Sequence, residues 1–316
     1  MEASATLPLF TYNQIGFWLI PGNDKFGALR LSKIGDIPIR LHCEMKGEIK
    51  QVIIKHMPSG EWFACIVVDD GMKDDEITFI EKAVGIDVGL EHYVVDSDGL
   101  EVENPRNLKK ALKKLRRDQK RLSKKKKGSE NWEKQCIIIA RDYKHIENQR
   151  NDFLHKLSRY YVNNYDFIVM EKLDIKEMIE NGHLAQSISD AAWSTFNFDL
   201  AYKAERAGKL YVQVSPRGTS QECSCCGKLV PKTLSDRWHD CPNCGLHLSR
   251  DHNASINILN RGIEKVRSER PELTLVDRTT YTLSKDGACR LDEIRNSVKK
   301  EQNSSLANRR YLPSTY

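Results

Sequence analysis

The chain has 316 residues, of which 40% are hydrophobic and 30% charged, and it carries a net charge of +6. That length can bury two or three cores, and no run of about eighteen apolar residues suggests a membrane span. The opening MEASATLPLF has neither the basic start nor the apolar stretch of a secretory signal. The expected compartment is therefore the cytoplasm, where nine cysteines serve as thiols or metal ligands rather than disulfides.

Up to about residue 80, short apolar runs alternate with turn signals: LFTYN, GFWLI, GALRLS, IPIRLHC, IKQVIIKH and EWFACIVVDD. They predict the strands of a small sheet or barrel, with Pro58, Ser59 and Gly60 as a hairpin turn. AVGIDVGL at 83–90 predicts a buried strand, HYVVDS at 92–97 its neighbour, and Asp98 with Gly99 the next turn. From Asn107 to about Tyr161 the period becomes helical. Trp132, Cys136, Ile139, Tyr143, Ile146, Phe153 and Leu157 recur at spacings of four and three with a break at Arg150, and Gly128 with Ser129 divides the stretch into two antiparallel helices. DFIVMEKL at 166–173 and KLYVQVS at 209–215 predict strands, with an amphipathic helix at 189–207 between them. Alternating strands and helices imply an α/β sheet. DHNASINILNRG predicts a short last helix ended by Gly262, and the polar residues 263–316 predict a mostly disordered tail.

Cys223-x-x-Cys226 and Cys241-x-x-Cys244 are separated by fourteen residues, each pair followed by a glycine. Two-residue spacing brings both thiolates of a pair to one ion, so four filled positions predict a closed, structural zinc site. Cys225 is expected to point away from it, and Cys43, Cys65, Cys136 and Cys289 to be ordinary core or tail residues.

Asp87 sits inside an apolar strand beside Gly85 and Gly89, whose lack of side chains would let a polyanion approach; Glu171 ends the run IVME, and Asp251 opens the last helix. Three acids converging from separate elements would hold two Mg²⁺ ions about 4 Å apart and hydrolyse a phosphodiester. Singly, each has a simpler role: Asp87 as a strand-end hydrogen bonder, Glu171 as an ion-pair partner of Lys172 or Lys176, and Asp251 as a helix N-cap. Between Arg106 and Lys127, thirteen Lys or Arg residues face a single acid, Asp118. Such density favours phosphate binding over a merely solvated helix face. The expected contacts are Lys124, Lys125, Lys126 and Lys127, with Arg116, Arg117, Lys120 and Arg121 behind them. Arg217 and Arg250 flank the knuckle, while Trp193 and Phe196 are expected to anchor a helix rather than stack on bases.

The combination GIDVGL, IVMEKL, TSQECSCCG, CPNCG and SRDHNASINILN resembles the TnpB (OrfB) family of insertion-sequence proteins, relatives of type V CRISPR effectors. The match runs from about residue 7 to 262 and is most specific over 215–259. It implies an α/β fold: a partial wedge-type β-barrel domain at 1–81, then an RNase H-like (RuvC) domain at 82–214 with a helical hairpin inserted at 105–162. The zinc knuckle would then occupy 215–249 and a final RuvC helix 250–262. Asp87, Glu171 and Asp251 would be the RuvC carboxylates, and the four cysteines the ligands of one zinc. Family members normally begin with a further strand and a helical recognition segment, so the chain is expected to be truncated at its N-terminus. The implied activity is RNA-guided cleavage of double-stranded DNA in a prokaryotic, nucleoid-associated setting, with a guide RNA from the transposon end and no membrane partner. A homo-oligomer stays open, as do an unguided transposase or resolvase and a truncated, inactive nucleic-acid-binding relic.

Overall fold

The computed structural model describes residues 9–13, 15–22, 25–71, 77, 79–180, 182, 184–233, 235–271, 273–275, 281–283 and 289–291. It divides into two compact units, Met1–Asp74 with Asn107–Asn151, and Asp75–Arg106 with Asp152–Tyr316. Among the described residues no helix is long and apolar enough to cross a membrane.

In the first unit the six apolar runs become β1 (Leu9–Asn13), β2 (Phe17–Pro21), β3 (Phe26–Leu31), β4 (Gly35–Arg40), β5 (Glu48–His56) and β6 (Trp62–Asp69). They form two antiparallel sheets, ordered β1-β5-β6 and β2-β3-β4. Phe17, Leu29 and Leu31 from one sheet share a core with Val52 of the other. This is a two-sheet layer; the described strands do not pair from one sheet to the other as a barrel would require. The β5–β6 turn falls at the expected residues, with Gly60 at φ +87° and its N–H donating to the Met57 carbonyl at 2.9 Å.

The helical hairpin consists of α1 (Asn107–Ser123) and α2 (Glu130–Asn164). Gly128 turns the chain at φ +78°, and the Ser129 hydroxyl accepts the Trp132 N–H at 3.2 Å, capping α2. Gln119 donates to the Tyr143 hydroxyl at 3.1 Å and Lys114 pairs with Asp142, as antiparallel packing requires. Arg141 donates to the Ser59 carbonyl at 3.2 Å, and Lys144 lies 5.4 Å from the Phe63 ring centre. Those contacts give the outer hairpin to the unit of β1–β6, although sequence order inserts it into the other one.

The second unit comprises β7 (Phe79–Ile80), β8 (Ala83–Val88), β9 (His92–Asp96), β10 (Glu101–Glu103), the end of α2, β11 (Phe167–Glu171), α3 (Ile175–Glu180), α4 (Ala185–Ala191), α5 (Trp193–Arg206) and β12 (Leu210–Val214). It continues with β13 (Trp238–Asp240), β14 (His247–Ser249), α6 (Arg250–Glu269), β15 (Thr274–Leu275), β16 (Tyr281–Leu283) and β17 (Cys289–Leu291). Its central sheet has the order β10-β9-β8-β11-β12: an antiparallel meander to which β11 and β12 add in parallel. Both faces are covered, which is why β8 and β11 read as unbroken apolar runs. Val84, Ile86, Ile168 and Met170 point to one face, against Leu154, Leu157 and Tyr161 of α2 and Phe196 and Leu200 of α5. Ala83, Phe167, Val169, Leu210 and Val214 point to the other, where Ile258, Leu259 and Val266 of α6 pack. Trp193 and Phe196 are buried, as expected of helix anchors.

Two expectations need correction. Gly262 does not end α6, which runs on to Glu269; the glycine is buried because a Cβ there would lie 2.4 Å from Val169. Residues 263–269 are thus helix, and β15–β17 fall within the expected tail; its other residues beyond 271, except Leu273, lie outside the described ones.

Candidate active site

The sheet brings the first two acids together. Parallel pairing sets Met170 beside Ile86, so one step further Glu171 stands level with Asp87 and on the same face. α6 lies directly on that face: a Cβ on Gly85 would come within 2.1 Å of the Ser255 carbonyl oxygen. Gly85 therefore seats a helix, rather than opening a path for a polyanion as the sequence suggests. Since Ser255 sits over Gly85, Asp251, one turn earlier, lies toward the strand end that carries Asp87. Burial pushes the Asp87 carboxyl well above its ordinary range, followed by the charges of Glu171 and Asp251, while the Arg250 charge opposes them. Burial likewise raises Glu171, against a hydrogen bond from the Thr219 hydroxyl and the Arg261 charge.

The simpler roles fare unevenly. The N-cap of α6 is Ser249, whose side chain accepts the His252 N–H at 3.2 Å, so Asp251 occupies the first turn instead. Glu171 takes its hydrogen bond from Thr219. Three carboxylates of all-oxygen chemistry suit a hard divalent cation. They are less tightly gathered than the cysteines, which are the described group of three or more ligand residues whose atoms all lie within 4.8 Å of one another.

The cysteine cluster is built from two local turns. Gly227 and Gly245, at φ +70° and +71°, donate to the Cys223 and Cys241 carbonyls at 2.9 Å each, a reversal that favours glycine. Cys223 and Cys244 sulfurs stand 3.6 Å apart, as do those of Cys226 and Cys241. A tetrahedral Zn²⁺ with bonds of about 2.3 Å needs sulfurs about 3.8 Å apart, so the donor set fits zinc in both chemistry and spacing. Burial raises the Cys223 and Cys244 thiols. At Cys226 burial is outweighed by bonds from the Lys228 backbone, Asn243 and the neighbouring cysteines, which bring the thiol to about 7. Cys225 lies partly buried against the cluster and outside the group of four sulfurs. Cys43 and Cys65 are exposed instead of core residues, and the side chain of Cys289 lies outside the described ones.

The sequence reading missed a polar stripe on α6. Asn253, Asn257 and Arg261, spaced four residues apart, bind backbone of the segment leading into the knuckle. Two asparagines at helical spacing among the apolar residues of NASINILN were the available signal. Asp96 was missed too. Its carboxylate accepts the Asp98 and Leu100 N–H groups at 2.9 Å each and the Tyr161 hydroxyl at 3.2 Å, and burial lifts it to about 6.

Of the thirteen basic residues at 106–127, all but the half-buried Lys125 are exposed. Arg121 is drawn to the buried Asp118 at 3.1 Å, and Lys125 donates to the Asn131 carbonyl at 3.0 Å. Arg116, Arg117, Lys120, Lys124, Lys126 and Lys127 keep exposed cationic groups on the hairpin. Arg217 is exposed, whereas Arg250 is half-buried and donates to the Thr233 carbonyl at 3.1 Å.

Acids at adjacent strand ends thus lie beneath a helix that leaves a four-cysteine cluster. The family model described as "Probable transposase" (OrfB_IS605) matches residues 71–182, and the "Cas12f1-like, TNB domain" model matches 193–258. Over these two segments the chain resembles the TnpB (OrfB) transposases. Two relatives named "Putative RNA-guided DNA endonuclease" resemble it: one from Streptomyces pristinaespiralis, 35% identical over 67% of this chain and 52% of its own, and InsQ of Escherichia coli K12, 31% identical over 76% and 65%. The chain thus spans between about half and two thirds of the length of these curated relatives. A solved Cas12f1–sgRNA–target DNA complex aligns over 82% of this chain and 68% of that one, at 18% identity and a TM-score of 0.43.

Proposed function

We propose that the chain acts as a transposon-encoded RNA-guided endonuclease that cuts DNA at an RNase H-like (RuvC) site. The observation that carries this reading is geometric: the β8–β11 register sets Glu171 level with Asp87, on the face where α6 is seated with Asp251 in its first turn, although the acids lie 84 and 164 residues from Asp87 in sequence. Ionised carboxylates held so near one another repel, and a divalent cation is the natural counter-charge. Asp87, Glu171 and Asp251 would hold two Mg²⁺, whose chemistry there would be to activate the attacking water and to offset charge on the leaving oxygen. Arg250 adds positive charge beside Asp87, and Cys223, Cys226, Cys241 and Cys244 would hold one structural zinc. The exposed cations of the hairpin, Arg116 to Lys127, would bind the backbone of a guide RNA or of the target DNA. Products would carry 5′-phosphates and 3′-hydroxyls.

The test has two parts. RNA copurifying with the protein is sequenced, and guided, Mg²⁺-dependent cleavage of a matched duplex is then measured. Asp87→Ala is expected to slow cleavage by ~10³-fold or more, a loss of ~4 kcal/mol of transition-state stabilisation. Cleavage without bound RNA would favour an unguided transposase or resolvase, and RNA binding with no cleavage an inactive relic.

A further inference from the structure

We infer that Thr219 is a positioning residue for Glu171, and that the stripe on α6 exists to hold Thr219 where it can act. The inference rests on the nuclease reading above, since it gives Glu171 a cation to face.

Thr219 is buried, with 4% of its surface exposed, and its hydroxyl donates to one oxygen of Glu171. A carboxylate at a strand end can otherwise rotate about its last bonds, and ordering it on the cation costs entropy. A hydroxyl fixed to one oxygen leaves the other free to ligate. The same hydroxyl lies 3.0 Å from the Pro216 carbonyl, but it owns a single proton, and the ionised carboxylate is the stronger acceptor.

The hydroxyl's own position is secured from behind. Asn257 donates to the Thr219 carbonyl at 2.8 Å and to the Glu222 carbonyl at 2.7 Å. Asn253 donates to the same Glu222 carbonyl at 2.8 Å and accepts the Ser224 N–H at 3.0 Å. Arg261 donates to the Ser215 carbonyl at 3.0 Å, to that of Arg217 at 2.7 Å and to the Glu222 carboxylate at 2.9 Å. Both ends of the segment 215–224 are thus tied to one helix face, with Thr219 in the middle. Had the segment only to reach the first cysteine, three side chains reading its backbone would be unnecessary. A β-branched residue adds a stiff χ1 to the arrangement.

The experiment is a calorimetric titration of Mn²⁺ into the zinc-loaded full chain, with Asp87→Ala as the blank, alongside the Mg²⁺ dependence of guided cleavage. Thr219→Val is expected to weaken Asp87-dependent Mn²⁺ binding ~10-fold and to raise the Mg²⁺ half-saturation by the same factor. Its zinc content should be unchanged. Thr219→Ala, which removes the hydroxyl without adding bulk, should match it, and Thr219→Ser should restore binding to within ~3-fold. Unaltered Mn²⁺ binding in the Ala variant, or failure of Ser to restore it, overturns the inference while leaving the nuclease reading intact. An unsubstituted chain that binds no Mn²⁺ through Asp87 would bring down both.

Discussion

The cysteine cluster, whose spacing fits zinc, and the three carboxylates proposed to hold magnesium come by their geometry in opposite ways. The cysteines span 22 residues, and each pair is shaped by its own glycine turn. The carboxylates span 165 residues and owe their proximity to the β8–β11 register and to the seating of α6. One site carries its scaffold with it, and the other borrows the whole domain. A self-contained site fails when its ligands fail, whereas a borrowed one can be lost through a residue that touches no metal.

The largest effect should come from the self-contained side. Cys241→Ser is expected to abolish stoichiometric zinc and melt the knuckle, because structural zinc binding of ~10 kcal/mol is itself folding energy; zinc assay with thermal unfolding reads it, and full zinc in the variant would contradict the ligand set. Gly85→Ala comes next, at ~4 kcal/mol or more, since its Cβ would meet α6 backbone rather than a side chain that can yield. It should remove cleavage while the isolated knuckle turns still bind zinc, so loss of both together would blur the contrast.

The smallest and finest test uses Asp96, a sheet acid satisfied by its own local turn. Its folded value of about 6 lies above the ordinary 3.8, so its contribution to stability is complete below 3.8 and fades as the pH rises through 6. The shift corresponds to ~3 kcal/mol between pH 4 and 7. Asp96→Asn keeps an oxygen for the Asp98 and Leu100 N–H groups and should flatten that slope in denaturant titrations across this pH range.

Much of this was readable from the sequence. The six strands of the first unit, the helical hairpin and the strands bearing Asp87 and Glu171 followed from apolar period and turn residues, which are local properties. So did the knuckle, whose CxxCG pairs announce both ligands and turn. The failures are all tertiary. Gly85 and Gly262 looked like an open approach and a helix end because sequence does not reveal which backbone lies above a glycine. Asn253 and Asn257 were missed because their partners sit 29 to 38 residues upstream.

The junction between β14 and α6 has a consequence for how this chain tolerates length changes. β14 ends at Ser249 and α6 begins at Arg250, with no linker between them. Asp251 keeps its angle only against Ser255, the residue seated on Gly85, so each residue inserted between the two and taken up by the helix would swing the acid about 100° around the helix axis, off the sheet and toward solvent. The residues between Cys226 and β13 have no such phase to keep and can lengthen as a loop. The chain can thus grow within the knuckle and must count every residue in the first turns of the helix that follows.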